Sequence, residues 1–216
     1  MVRRVIRFFP KESFVKLYYT PGACSLSPHI VASEAGIRLE LEKVDLQTKV
    51  TASGLDFSKI NPKGYVPTLQ LDNGEILTEG PAIVQYLADQ KPASQLAPAP
   101  GTLNRYRLQE MLNYINSEIH KSFSRLFNPA VTPAVREEAV AYLVKRYALI
   151  EQQLGSHKFL LGDQFTVADA YLLTVTSWAG HVNVDLSPFP KLQAFQKTVS
   201  ARPAVQQALR AEGLIH

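Results

Sequence analysis

A single cysteine in 216 residues leaves no partner for a disulfide within the chain. That excludes a disulfide-stapled fold and fits a reducing compartment, the cytoplasm. No apolar run approaches the roughly 18–20 residues that a membrane-spanning helix needs, and no internal repeat or low-complexity block interrupts the chain. Charge is sparse and uneven: residues 1–14 hold Arg3, Arg4, Arg7 and Lys11 against Glu12, which accounts for +3 of the formal net charge of +4. The remaining body is close to neutral and lacks the clustered basic charge that a nucleic-acid partner requires. Also missing are a P-loop, a dinucleotide-binding glycine fingerprint, a Ser-His-Asp signature and any His/Cys/Asp cluster with metal-ligand spacing, so no metal is expected.

The basic arm, "MVRRVIRFFPKESF", has positive charge but lacks the apolar stretch of roughly 7–15 residues that completes a secretory signal. It reads as an N-terminal extension over residues 1–14, disordered or upstream of the true start, because the ordered pattern begins abruptly at Val15-Lys16-Leu17.

From there the signals alternate. "KLYY" reads as a strand and "SPHIVASEAG" as a helix, with Ser27 before Pro28 at the first helical position and Gly36 as the stop. "LELEKVDL" alternates like a strand, and "TASGLDFSKINPKG" is irregular or short helix. In "VPTLQLDNGEILTEG" two apolar runs flank Asp72-Asn73-Gly74, a hairpin whose Asn-Gly pair readily takes positive φ. "EGPAIVQYLADQK" follows as an amphipathic helix. The order β-α-β-α-β-β-α implies a mixed sheet with helices packed on it, over residues 15–95. Pro92, Pro98, Pro100 and Gly101 mark a linker, and residues 101–216 read as all-helical. The clearest helix is Thr132-Pro133 to Gly155, with Val135, Ala139, Leu143, Ile150 and Leu154 at helical spacing. In "FTVADAYLLTVTSW", Thr166 and Asp169 form a capping-box pair with a structural role.

Four places carry candidate chemistry, each beside a plainer reading. Cys24 is either a small buried hydrophobe or a thiol whose pKa the helix entrance lowers. Cys24-Ser25-Leu26-Ser27 lacks a resolving cysteine, so such a thiol pairs only with a partner's sulfur. Val66-Pro67 is either an edge-strand proline or a cis turn that leaves the Val66 N–H and C=O open to an extended peptide. Thr78-Glu79-Gly80-Pro81 is either an ordinary helix start or a site whose N–H groups take a carboxylate while Glu79 takes an ammonium. In "RYRLQEMLNYINSEIHKSF", Leu108, Met111, Leu112, Ile115, Ile119 and Phe123 share one arc at about 100° per residue, and Asn113, Ser117 and His120 share the opposite one. His120 there is either a solvated side chain or the end of a polar binding face.

Taken together, "KLYYTPGACSLSPHI", "NPKGYVPTLQLDNGEILTEGPAIVQYLADQ", "LNYINSEIHKSF", "FTVADAYL" and "ALRAEGLIH" make the chain from Lys16 onward resemble a bacterial beta-class glutathione S-transferase. The resemblance implies a thioredoxin-like α/β N-terminal domain with a mixed four-stranded sheet, an all-α C-terminal domain and a homodimer. It implies glutathione as co-substrate, with no other cofactor, and a small hydrophobic electrophile as second substrate. Cys24 would contact or bond to the glutathione sulfur, Lys49 would lie near its glycine end, and Val66, before a cis Pro67, would pair with its backbone. Glu79 and Gly80 would hold the γ-glutamyl ammonium and carboxylate. Asn113 and the segment Ser117, Glu118, Ile119, His120 would approach from the helical domain, partly across the dimer interface. Tyr65 and Arg125 depart from the residues common in relatives, Gln and Pro, and bear on the second-substrate pocket.

The chemistry implied is attack of the glutathione thiolate on an electrophilic carbon, halide displacement from chlorinated aromatics included, with Cys24 and His120 as catalytic residues. Ser25 or Tyr19 is an alternative source of a hydroxyl hydrogen bond to that thiolate. Thiol-disulfide transfer through a Cys24 mixed disulfide is a second reading, and a non-catalytic carrier of hydrophobic ligands a third.

Overall fold

The computed structural model describes residues 15–216; the expected extension lies outside the described residues. The N-terminal part runs β1 (Val15–Tyr19), α1 (Leu26–Ala35), β2 (Leu39–Asp45), β3 (Val50–Thr51), α2 (Phe57–Ile60), β4 (Thr68–Gln70), β5 (Ile76–Thr78) and α3 (Gly80–Gln90). The strands form one mixed sheet in the order β3-β2-β1-β4-β5. β1 and β2 are parallel through the α1 crossover, whereas β1–β4, β4–β5 and β2–β3 are antiparallel. The sheet thus has five strands where four were expected. The extra one, Val50–Thr51, is two residues long, too short for a period of two to reveal.

Alternation along β1 assigns its faces. Leu17 enters the main core beside Ile30, Leu69, Ile83 and Leu87. Tyr18 turns to the opposite face, where it packs with Val44, Phe57 and Val66 beneath α2.

Two local expectations shift. Helix α1 starts at Leu26, after Ser25, so Pro28 is its third residue. Proline is tolerated there because the first four N–H groups of a helix have no intrahelical acceptor. At the other end Gly36 adopts φ +66°, and Ile37 N–H reaches back to Ala32 O at 2.8 Å, closing the helix. In the β4–β5 connection only Gly74 takes positive φ (+85°), and Leu71 N–H bonds to Glu75 O at 2.9 Å. That makes a longer loop than a two-residue Asn-Gly turn.

The remainder is helical: α4 (Leu103–Tyr114), a π-helical segment (Ile115–His120), α5 (Lys121–Leu126), α6 (Pro133–Leu154), α7 (Val167–Thr176), α8 (Pro190–Ser200) and α9 (Pro203–Ala211). Helix α6 buries Ala139, Leu143, Tyr147, Ile150 and Leu154, while Val135, placed on that stripe from spacing, is exposed near the helix start. At the head of α7, Asp169 accepts from the Thr166 N–H (2.8 Å), the Thr166 hydroxyl (2.9 Å) and the Leu160 N–H (2.9 Å). This fully buried carboxylate ties the approaching loop to the helix.

The linker does not divide the core. Helix α1 packs on α7 and α9, and α3 packs on α4 and α7. One continuous apolar cluster therefore runs from Leu17 and Ile30 through Leu112 and Ile119 to Val167 and Leu172.

Candidate active site

The site forms where the carboxyl end of β1 meets the helical part. Tyr19 is followed by a turn, closed by Ala23 N–H to Thr20 O at 3.0 Å, that carries Cys24 to the mouth of α1. Gly22 at the tip takes φ +70°, and a Cβ there would meet Leu214 at 3.4 Å, so both backbone freedom and a close approach favour glycine. Both polar groups of Gly22 are held from the other end of the chain. Its N–H donates to Glu212 Oε2 (2.9 Å), and its carbonyl accepts from Trp178 Nε1–H (2.8 Å). Glu212 Oε1 in turn lies 2.9 Å from His29 Nδ1, with both side chains buried.

Cys24 donates its thiol hydrogen to Val66 O at 3.1 Å. Burial pushes this thiol up to about 12; the N–H groups of Cys24 and Ser25 pull the other way and lose, and the charge of Glu79 adds to the rise. Of the two readings of Cys24, the thiol whose pKa the helix entrance lowers is the one its surroundings oppose. Desolvation outweighs the helix entrance, and among the described residues no cation acts on the sulfur to offset that cost.

The acceptor Val66 precedes a cis proline bond to Pro67. Among the described residues the Val66 N–H has no hydrogen-bond partner. Asn61, almost fully buried, fixes this loop by donating to Tyr65 O and to Thr68 Oγ1, both at 2.9 Å. Nothing in the spacing around Asn61 pointed to that role. Lys49, itself at φ +59°, reaches the same loop and donates to Gly64 O at 2.6 Å.

Glu79 occupies the N-cap of α3 at φ +70°, directly before Gly80 and Pro81. Its carboxylate accepts from Lys63 Nζ (2.6 Å) and from the Tyr65 hydroxyl (3.3 Å), and these donors, Lys63 foremost, hold its pKa below the usual range. A Cβ on Gly80 would contact Pro67 at 3.9 Å, so the head of α3 lies directly behind the Val66-Pro67 loop.

His120 enters from the helical side at the end of the π segment. Each π turn takes about one residue more than an α turn, and the polar arc read at 100° per residue is therefore broken. His120 turns inward, whereas Asn113 and Ser117 remain exposed, with Ser117 Oγ bonded to Asn113 O at 3.0 Å. Glu118 faces α6, accepting from Tyr142 and pairing with Arg146 (3.0 Å), and Ile119 is in the core. Burial lowers the His120 pKa to about 4, so the ring is neutral near pH 7. Its Nδ1 lies 2.6 Å from the hydroxyl of Tyr171, and the Trp178 ring packs at 5.0 Å.

Cys24 and His120 share a cavity of about 710 Å³ whose other walls include Phe123, Phe127, Trp178 and Leu214. A larger groove of about 1660 Å³ lies along the linker, between Pro92, Arg105, Met111 and Leu161. It contains none of the candidate catalytic or glutathione-binding residues, so chemistry rather than size selects the smaller cavity. The structure thus gathers Cys24, Val66, Glu79, Gly80 and His120, with Lys49 on the adjoining loop, and turns Asn113, Ser117, Glu118 and Ile119 elsewhere in the single chain. Ser25 is sealed, its hydroxyl engaged with Thr20 at 3.2 Å, and Tyr19 packs against His29. Tyr171, Trp178 and Glu212 were missed, although they lie in the motifs "FTVADAYL", "TSW" and "ALRAEGLIH". Among the described residues no His/Cys/Asp/Glu group is arranged to hold a metal.

Residues 22–90 match the family model of the glutathione S-transferase N-terminal domain, and residues 114–203 that of the glutathione S-transferase C-terminal domain. Glutathione S-transferase GstA of Escherichia coli O157:H7 is 44% identical over 200 residues, covering 93% of this chain and 100% of the relative. The solved structure of a ternary complex of BphK, a bacterial GST, is 59% identical at a TM-score of 0.90, covering 92% of this chain and 99% of that one. The bacterial beta-class glutathione S-transferase of Sphingomonas chungbukensis is 44% identical at a TM-score of 0.89, covering 93% and 100%.

Proposed function

The chain belongs to the glutathione S-transferase family, in its bacterial beta class, and from that premise we propose how its residues divide the work. The protein is an enzyme that conjugates glutathione. In our reading the tripeptide lies along the Gly64–Val66 loop and pairs with the free Val66 N–H. Its γ-glutamyl ammonium takes the place of Lys63 at Glu79, and the adjacent carboxylate meets the N–H groups at the head of α3. Lys49 reaches the glycine carboxylate, and the sulfur arrives beside Cys24 and His120. The apolar cavity then takes a hydrophobic electrophile. As the C–S bond forms, the thiol proton leaves the sulfur and the leaving group departs with its electron pair.

One observation carries this reading: Cys24, in the wall of the apolar cavity, donates to Val66 O on the loop whose Val66 N–H is partnerless among the described residues, and the Glu79-Gly80 head of α3 packs behind that loop. The Cys24 thiol, half-buried and pushed up to about 12 by desolvation, does not favour thiol-disulfide transfer, which needs a thiolate. A homodimer fits the exposed Leu103 and Tyr106 on α4, 68% and 58% accessible, on the helix that also carries the exposed Asn113. A cytoplasmic location fits the lone thiol and the absence, among the described residues, of a helix long and apolar enough to cross a membrane.

Initial rates of glutathione conjugation to chlorodinitrobenzene test the reading. The native chain turns over. Glu79→Gln raises KM for glutathione about tenfold with kcat little changed, the loss of one charge-assisted hydrogen bond worth about 1.5 kcal/mol. Cys24→Ala retains conjugation. Binding of glutathione without turnover in the native chain would instead establish the carrier.

A further inference from the structure

Tyr171 is a large polar side chain buried to 1% accessibility on α7, and conjugation as described above gives it no task. Its hydroxyl sits between two partners: it donates to Asn116 Oδ1 at 2.8 Å and lies 2.6 Å from His120 Nδ1. Asn116 and His120 both belong to the π segment, so one helical wall presents both groups to one hydroxyl.

A tyrosine hydroxyl has a single proton. With that proton committed to Asn116, the contact to His120 requires the ring to supply the other one. Nδ1 therefore carries hydrogen, and Nε2 carries the lone pair. Among the described residues Nε2 has no hydrogen-bond partner, and the ring lines the cavity that holds Cys24. The edge-on packing of Trp178 and Tyr171 restrains ring rotation.

We infer that Asn116 and Tyr171 are positioning residues that hold His120 in the Nδ1–H tautomer, so that Nε2 acts as proton acceptor toward the glutathione thiol. This rests on the placement of glutathione given above. The step balances: the S–H bond breaks, its proton passes to Nε2, the sulfur pair forms the C–S bond, and the leaving group departs with its electrons. Nε2 then returns the proton to water. The imidazolium is transient, because a charged ring in this apolar setting is costly. His120 thus acts as an acceptor synchronised with attack, not as a standing positive charge.

The test is a two-bond ¹H–¹⁵N correlation spectrum of the full chain at pH 7.5, with His120 assigned by comparison with His120→Gln. The native ring shows the Nδ1–H pattern. Asn116→Leu removes the acceptor, frees the tyrosine proton to turn toward Nδ1, and shifts the ring to Nε2–H. Asn116→Asp keeps the acceptor and the native pattern. In parallel, kcat for chlorodinitrobenzene falls about tenfold in Asn116→Leu and Tyr171→Phe, KM for glutathione stays within twofold, and Asn116→Asp restores the rate. A native Nε2–H ring, an Asn116→Leu ring that keeps its tautomer, or a flipped ring with unchanged kcat overturns the inference. The spectrum needs neither glutathione nor turnover, so an inactive native chain with an Nδ1–H ring would sink the proposed function and leave the tautomer assignment standing.

Discussion

At the scale of single residues, position and ionisation come from different sources. Cys24 stands where a helix entrance favours a thiolate, yet its surroundings place the thiol near 12. The dipole contributes on the order of 1 kcal/mol near a helix end, whereas burying an uncompensated charge costs several times more. This has a direct consequence for reactivity. Because thiolate is the nucleophile, iodoacetamide at pH 7.5 alkylates Cys24 about a thousand-fold more slowly than a free thiol, and the rate rises tenfold per pH unit. Mass spectrometry of the intact chain reads this cleanly, since no other cysteine competes. Labelling as fast as free glutathione would mean that the sulfur is ionised.

At the scale of elements, local chemistry is well obeyed except where a helix changes its pitch. Thr166 and Asp169 cap α7 as their spacing anticipates, because the box involves only one turn of backbone. Asp169 also accepts the Leu160 N–H, a contact no local pattern contains. Asp169→Ala leaves three buried donors unsatisfied and lowers stability by about 3 kcal/mol. Asp169→Asn, which keeps one acceptor oxygen, loses less than half of that; urea unfolding of both variants measures it, and equal losses would reduce the box to simple packing. The π segment is the opposite case. Read as an α-helix, it put His120 beside Asn113, and only the widened turn sends His120 to the cavity and Asn113 to the surface.

At the scale of the whole molecule, the two halves share one core, and the last helix reaches back to the first turn. Glu212 joins His29 to Gly22, residues 183 and 190 positions away from it. Trp178 grips the Gly22 carbonyl and packs against His120, so one indole links the Cys24 turn to His120 on the opposite wall of the cavity. Glu212→Ala removes the shared acceptor, strands the Gly22 N–H and His29 in the interface, and costs about 3 kcal/mol. The far-ultraviolet signal and the fluorescence of Trp178, the chain's only tryptophan, move together through a single transition in both proteins. A variant in which tryptophan fluorescence changes first would mean that the halves unfold separately despite their common core.

What the amino-acid order determined unaided is what lies within a few residues of itself: the run of strands and helices, Gly36 as a stop, the capping box, the hairpin, and Cys24 at a helix mouth. Such features follow from backbone dihedrals and neighbouring donors, which the chain carries wherever it folds. The resemblance carried by the motifs extended this to the cis Val66-Pro67 bond. The tertiary structure alone decided which proton each group keeps. Desolvation of Cys24, neutrality of His120 and the direction of the Tyr171 hydrogen bonds depend on side chains brought together from remote parts of the chain. Burial and hydrogen-bond direction are properties of that assembled surround, and no stretch of sequence contains them.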